Sequence, residues 1–92
     1  MRRVERVRLN LPLRVSFDRY WQELTETVDL SPLGVRFRLS RPVEPGSELR
    51  IELPMPKHLR THSYDDELYV ARAFVIYASN EECGREVVVE FV

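Results

Sequence analysis

The sequence predicts an all-β protein, a small six-stranded antiparallel β-barrel with little or no helix. Most apolar segments alternate apolar and polar residues with a period of two, as half-buried strands do. Six such segments follow one another at spacings of roughly 8–14 residues, separated by turn-forming sequences. No segment carries the apolar spacing of a long helix. Closing the sheet into a barrel removes the exposed edges of a short all-β chain.

The first half of the chain contains three strand candidates. Residues 7–17 are apolar at odd positions, which predicts a half-buried strand. Pro12 lies within this run, and because it lacks an N–H we expect it at a sheet edge or bulge. Residues 21–30 form a less regular candidate rich in Thr and Val, and residues 35–39 alternate again.

The second half contains the other three candidates. The sequence "RPVEPGSE" predicts a loop, and residues 49–53 then alternate until two prolines end the strand. Residues 57–67 are the most polar segment and predict a long loop or one helical turn. Residues 68–78 are rich in strand-forming side chains. The turn "SNEECG" then leads into the last strand, residues 85–92.

Length and composition favour one soluble domain. The chain has 92 residues, which form one core, and an apolar fraction of 43%, which argues against disorder. No apolar run approaches the roughly 20 residues of a membrane span, and the start lacks the apolar segment of a signal peptide. Cys83 is the single cysteine, so no internal disulfide forms. We therefore expect a cytoplasmic protein.

The charge is balanced overall but uneven along the chain. The sequence has 14 basic and 15 acidic residues and a net charge of −1, whereas a general nucleic-acid binder usually has a basic excess. Five arginines and one acidic residue lie between Met1 and Arg14. We therefore predict a flexible arginine-rich arm, residues 1–8, followed by a single barrel domain, residues 9–92.

The stretch "VDLSPLGVRF" places Asp29, Ser31 and Gly34 in the spacing D-x-S-x-x-G. One interpretation is a tight connection between strands, because Asp and Ser bond to nearby backbone N–H groups and Gly tolerates positive φ. The other interpretation is a binding surface. A carboxylate, a hydroxyl and a bare backbone at one place can accept hydrogen bonds from a purine edge and let it come close.

The arginines of the arm include the spacing R-x-x-x-R, formed by Arg2 and Arg6, with Arg3 and Arg8 beside them. One interpretation is a solvated polar tail. However, guanidinium groups pair bidentately with phosphate and with the O6/N7 edge of guanine, and they stack on flat bases. Asp29 complements them, because a carboxylate accepts from guanine N1–H and N2–H₂. Together the two motifs match a guanine nucleotide.

The two motifs in this order resemble the PilZ domain family, in which R-x-x-x-R precedes the first strand and D/N-x-S-x-x-G falls between two strands. The resemblance covers nearly the whole chain, from "MRRVERVRLNLPLRV" through "VDLSPLGVRF" and "VEPGSELRIELPMP" to "EVVVEFV". It implies a PilZ-like barrel that binds cyclic di-GMP, the bacterial second messenger, and that signals to a downstream protein partner. It implies no enzyme activity, no metal or other cofactor, and no insertion into a membrane, and it leaves open whether the protein forms a homodimer.

The resemblance assigns a role to each arginine of the arm. Arg2 and Arg6 match the two motif arginines and would wrap the ligand, contacting phosphate and guanine, with Arg3 as an auxiliary contact. A ligand with two phosphates would neutralise the mutual repulsion of these charges and order the arm. The ordering has an entropic cost, which charge-assisted hydrogen bonds must offset.

The resemblance also assigns roles to the second motif. Asp29 and Ser31 would hydrogen-bond guanine or phosphate groups from the barrel surface, and Gly34 would let the base approach the backbone. Leu33 stands where family members often have a second Gly, and Pro32 stiffens the same loop. Leu33 and the short segment before Arg2 favour an alternative function, a PilZ-like protein–protein adaptor that does not bind nucleotide, whereas the intact D-x-S-x-x-G and R-x-x-x-R motifs disfavour it.

Two other functions have weaker support. His58 and His62 are four residues apart, which on a helix is a possible zinc-ligand spacing, and acidic residues follow at positions 65 and 66. No cysteine cluster or H-E-x-x-H motif accompanies them. A hydrolase would combine Ser31 with a His and an Asp, but the G-x-S-x-G motif that presents such a serine is absent.

Overall fold

The computed structural model describes residues 6–81 and 84–92, which contain six antiparallel strands. In chain order these are β1 (Pro12–Phe17), β2 (Trp21–Ser31), β3 (Gly34–Leu39), β4 (Glu48–Leu53), β5 (Tyr69–Ala78) and β6 (Arg85–Phe91). The strands close into a barrel in the order β1-β2-β3-β6-β5-β4, because β4 pairs back with β1. The predicted fold class is therefore confirmed.

Alternate residues of the strands point into the barrel and form one core. Its largest fully buried members are Tyr69, Phe37, Leu13, Leu30, Leu39, Leu49, Ile51, Leu53, Met55, Val15, Val35 and Val75. Burying a side chain of this size contributes about 1.5–3 kcal/mol. The outer faces of the strands carry charged and polar side chains together with some exposed apolar ones.

The connection between β4 and β5 is ordered by one buried cation. A short 3₁₀ helix, Lys57–Leu59, begins this segment. The side chain of Arg60, which is only 7% exposed, then donates hydrogen bonds to the carbonyl oxygens of Met55 and Ser63 and to two further carbonyls in the segment. The arginine therefore replaces the hydrogen bonds that regular structure would supply to this backbone. Within the described residues no helix is long and apolar enough to cross a membrane.

The segment before β1 follows the end of β2 without forming a continuous strand. Val7 and Leu30 exchange backbone hydrogen bonds of 2.8 and 2.9 Å. Between this bridge and β1, the side chain of Thr27 interrupts the ladder by accepting from the N–H of Leu11 at 2.9 Å and donating to the carbonyl of Leu9. The strand predicted over residues 7–17 is therefore shorter in the structure, where Pro12 is its first residue, a position that needs no ladder donor.

A β-bulge divides β2 into two halves of different register. Thr27 lies opposite Phe37, but Asp29 lies opposite Arg36, so Val28 is an extra residue without a partner on β3. A shift of one residue exchanges the inner and outer faces of a strand. The side chains that follow Val28 therefore point the opposite way from those that an unbroken alternation would predict.

The two-residue turn between β2 and β3 is anchored on β6. Ser31 pairs with Gly34 across the turn, and the N–H of Phe91 donates to the carbonyl of Leu33 at 2.7 Å. A Cβ built on Gly34 would lie 2.1 Å from the carbonyl oxygen of Val89, which real side chains do not allow. Gly34 is therefore required by the close approach of β6.

We predict that Gly34→Ala lowers the free energy of unfolding by about 2–3 kcal/mol, because the added methyl group must displace the backbone of β6. Gly46→Asn is the control, since nothing lies within 4 Å of a Cβ there and Asn tolerates the positive φ of that residue. We expect the control to lose less than about 1 kcal/mol. Urea denaturation measures both variants, and equal stability of Gly34→Ala and wild type would contradict the steric explanation.

Candidate functional site

The structure brings the end of the arginine-rich arm beside the D-x-S-x-x-G motif. The backbone bridge between Val7 and Leu30 places the neighbouring residues Arg6 and Asp29 side by side. The Nε atom of Arg6 lies 3.5 Å from Oδ1 of Asp29. Arg2 and Arg3 lie outside the described residues, so their roles stay predictions.

The bulge at Val28 makes Asp29 available at the barrel surface. Leu30, the next residue, points into the core and is fully buried, so Asp29 points outward. Without the extra residue Asp29 would lie opposite Val35, which also points into the core. A carboxylate there would be buried without a partner, which is strongly unfavourable.

Arg36 is a member of this site that the sequence reasoning missed. It lies opposite Asp29 on β3, with its Nε atom 3.5 Å from Oδ2 of the carboxylate. Its Nη1 atom donates to Oε1 of Glu86 on β6 at 2.8 Å. The alternation of β3 predicts that Arg36 points outward, but the bulge that places it beside Asp29 has no clear signal in the sequence.

The carboxylate of Asp29 lies between two cations without a full set of hydrogen bonds. Its side chain is 15% exposed, and Arg6 and Arg36 each approach one oxygen at 3.5 Å. Among the described residues, Asp29 Oδ1 and Arg36 Nε are the buried side-chain atoms that lack a hydrogen-bond partner. Buried polar atoms are normally hydrogen-bonded. This carboxylate can therefore accept donors from a ligand, once the side chain of Arg6 moves aside.

Ser31 and Gly34 lie next to this carboxylate at the β2–β3 turn. The hydroxyl oxygen of Ser31 accepts a hydrogen bond from the N–H of Leu33 at 3.2 Å and still has its own proton to donate. Gly34 lies between Ser31 and β6, and its bare backbone forms part of the surface. The structure thus supports both interpretations of the motif, since Ser31 stabilises the turn and also faces the site.

An open groove of about 180 Å³ begins at these residues and runs across β6 toward β5. It is lined by Arg6, Ser31, Leu33, Gly34, Ile76, Val88, Val89 and Glu90. One end carries the guanidinium of Arg6, and the floor is apolar. The groove therefore combines apolar side chains with hydrogen-bonding groups, which is a combination that suits a purine base.

A larger groove of about 480 Å³ lies at the other end of β2 and is lined by Ser16, Asp18, Arg19, Trp21, Gln22 and Arg50. Arg41 stacks over the ring of Trp21, with 5.2 Å between its guanidinium carbon and the ring centroid. Within residues 6–81 and 84–92, the buried polar atoms without a partner belong to Asp29 and Arg36; Asp29 lies beside Arg6, which lines the smaller groove, and neither residue lines this one. We therefore favour the smaller groove as the candidate site.

The two histidines of the β4–β5 connection do not form a metal site with their neighbours. The ring of His62 stacks on Tyr69 with 4.5 Å between centroids, and its Nδ1 atom lies 2.8 Å from Oγ of Ser63. His58 is exposed in the 3₁₀ helix. In the part of the chain that the structure describes, no three His, Cys, Asp or Glu side chains are placed to share an ion.

Comparisons with known proteins place the chain in a family. The model of the PilZ domain matches residues 1–92, and no curated protein matches the sequence. One similar solved structure is the Bacillus subtilis inhibitor of motility MotI/DgrA, with 18% identity and a TM-score of 0.76 over 99% of this chain and 42% of that one. The present chain thus spans less than half of the length of MotI/DgrA.

Two further similar structures are PilZ domains. That of CeSA from a cellulose-synthesizing bacterium has 22% identity and a TM-score of 0.69, over 96% of this chain and 81% of that one. That of YcgR from Escherichia coli, solved with c-di-GMP, has 16% identity and a TM-score of 0.71, over 99% and 77%. At these identities the structures show a shared fold. Because the family model matches every residue and the barrel has the expected strands, the chain belongs to the PilZ domain family.

Proposed function

We propose that this protein is a sensor or effector domain that binds cyclic di-GMP, orders its N-terminal arginine arm around the ligand and signals to a partner protein. The observation that carries the proposal is the placement of Arg6, which lines the groove, beside the carboxylate of Asp29. A guanidinium and a carboxylate at this distance offer both kinds of group that a guanine nucleotide requires.

Each group has a chemical task in the proposed complex. The carboxylate of Asp29 accepts from guanine N1–H and N2–H₂, and the hydroxyl of Ser31 donates to a guanine or phosphate oxygen. Arg6 pairs with phosphate or with the O6/N7 edge, and Arg2 and Arg3 add further cations. The backbone of Gly34 leaves space for the base over the groove.

The contact between Arg6 and Asp29 is weak enough to be exchanged for contacts with a ligand. The side chain of Arg6 is 40% exposed and its nearest approach to the carboxylate is 3.5 Å. An ion pair of this exposure contributes about 1 kcal/mol or less. A ligand phosphate can therefore pair with the guanidinium of Arg6 while the N–H groups of guanine donate to the carboxylate of Asp29. Both charged side chains then keep a partner.

One similar structure supports the proposed ligand, and another supports the proposed signalling to a partner protein. The PilZ domain of YcgR was solved with c-di-GMP, which favours the same ligand here. MotI/DgrA is an inhibitor of motility, which favours an output through contact with another protein. We therefore propose that the ordered arm, with the ligand beneath it, forms part of the surface that a partner protein recognises.

The alternative is a PilZ adaptor that binds a partner without nucleotide. Leu33 favours it, because its side chain is 54% exposed at the edge of the groove and takes space next to the base. The two proposals differ in one measurable property, the affinity of the wild-type domain for cyclic di-GMP.

We predict that isothermal titration calorimetry detects binding of cyclic di-GMP to the wild-type domain. Arg2→Ala and Arg6→Ala should each weaken it by about 1–3 kcal/mol, the scale of one bidentate contact. Arg8→Ala is the matched control, because it removes the same charge from an exposed position two residues from Arg6. Arg8→Ala should have the smaller effect. Absence of binding to the wild type would favour the adaptor, and equal effects of all three variants would reject the specific contacts.

We predict that Asp29→Asn reduces the preference for cyclic di-GMP over cyclic di-AMP by roughly 10-fold or more. Guanine offers a carboxylate two adjacent donors, N1–H and N2–H₂, whereas adenine offers one donor, N6–H₂, beside the acceptor N1, and an amide can pair with either base. Glu26→Gln is the control, because it removes one negative charge from an exposed position of the same strand outside the groove. Competition titrations give the ratio of affinities. An unchanged ratio in Asp29→Asn would show that Asp29 does not read the base.

We predict that cyclic di-GMP slows tryptic cleavage within the arm, because trypsin cuts after arginine and the bound ligand covers Arg2, Arg3 and Arg6. Mass spectrometry after brief digestion measures loss of the N-terminal peptides with and without ligand. Cleavage after Arg19, in the exposed turn between β1 and β2, is the internal control and should not change. Equal cleavage of the arm in both samples would contradict ordering by the ligand.

A further inference from the structure

We propose that Glu86 on β6 holds Arg36 away from a full ion pair with Asp29, and thereby keeps the carboxylate able to accept a ligand. Arg36 and Glu86 are then positioning residues of the nucleotide site, although neither lines the groove. The inference rests on the proposed function, because the ligand that Asp29 accepts is the guanine nucleotide.

The distances show which carboxylate Arg36 prefers. Its Nη1 atom lies 2.8 Å from Oε1 of Glu86, the length of a charge-assisted hydrogen bond. Its Nε atom lies 3.5 Å from Oδ2 of Asp29 and, although buried, makes no hydrogen bond there. One guanidinium thus lies between two carboxylates and bonds fully to only one of them.

The barrel framework prevents Arg36 from serving both acids well. Arg36 lies directly opposite Asp29 on one side and opposite Val88 on the other, so Glu86 is its diagonal neighbour on β6. Opposite charges at such cross-strand positions attract each other. The guanidinium is drawn along the strand toward Glu86, which leaves its Nε–H out of line with Asp29.

Without the charge of Glu86, Asp29 is the nearest remaining acidic partner of Arg36 among the described residues. A guanidinium and a carboxylate that meet without competition form a bidentate pair, in which both carboxylate oxygens accept. Such a pair would occupy the lone pairs that the donors of guanine require. Because Glu86 competes for Arg36, Asp29 stays close to the guanidinium without accepting a hydrogen bond from it.

The proposal predicts that removing the charge of Glu86 weakens the binding of cyclic di-GMP, whereas long-range electrostatics alone predicts that it strengthens binding. Cyclic di-GMP carries two negative charges, so removing a nearby acidic charge should strengthen binding if only long-range repulsion mattered. If Glu86 holds Arg36 away from Asp29, removing its charge should instead weaken binding. The sign of the effect therefore separates a positioning role from a general charge effect.

The experiment measures the affinity for cyclic di-GMP by calorimetry in a double-mutant cycle. Glu86→Gln should weaken binding by roughly threefold to tenfold, which lies in the lower part of the range for coupled neighbours. In an Arg36→Gln background the same change should leave binding unchanged or slightly tighter, because residue 36 then has no guanidinium that Glu86 could hold away from Asp29. Glu26→Gln, which removes an acidic charge from an exposed position outside the groove, should leave binding unchanged or tighter. Thermal unfolding of each variant shows that the barrel is intact.

A second measurement does not depend on the ligand. In the ligand-free Glu86→Gln variant, the Nε–H resonance of Arg36 should move downfield and exchange more slowly in ¹⁵N NMR spectra, because it now donates to Asp29. An unchanged resonance, or affinity equal to or tighter than wild type, overturns this inference while the proposed function stands. Absence of binding to the wild-type domain overturns the proposed function, and the role of Glu86 toward a nucleotide with it.

Discussion

The extra residue in β2, Val28, is the constraint on which the candidate site depends. From this residue onward the inner and outer faces of β2 are exchanged, so that Leu30 points into the core and Asp29 points out. The same register change places Asp29 opposite Arg36 and next to the bridge that carries Arg6. An unbroken ladder would have placed this carboxylate against the core and left the surface without its acceptor.

At the β2–β3 turn, the close packing of β6 also determines which charged side chains become neighbours. Gly34 lets β6 approach within a distance that no side chain would permit, and β6 is the strand that carries Glu86. The close packing therefore brings a second acid to Arg36, whose first acidic neighbour is Asp29. Charge balance at the site follows from backbone packing, because strand register decides which charged side chains become neighbours.

Much of the fold and part of the site were predictable from sequence. Alternation identified the strands because one face of each is buried, and it failed where Thr27 interrupts the ladder before β1 and where the bulge at Val28 reverses the faces of β2. The two motifs identified Arg6 and Asp29 as neighbours from their complementary chemistry. Arg36 was not identified, because an outward-facing arginine on a strand is ordinary and its significance comes from residues on two other strands.

The sequence by itself determined the number of strands, the closed all-β architecture and the presence of a cationic segment and an acidic turn, because these follow from local periodicity and side-chain chemistry. Only the tertiary structure decided which charges meet. The bulge at Val28 sets the register between two consecutive strands, and the bridge from Val7 to Leu30 and the pairing of Arg36 with Glu86 join segments distant in the chain. Such contacts depend on strand register, and a shift of a single residue changes every neighbour across a sheet.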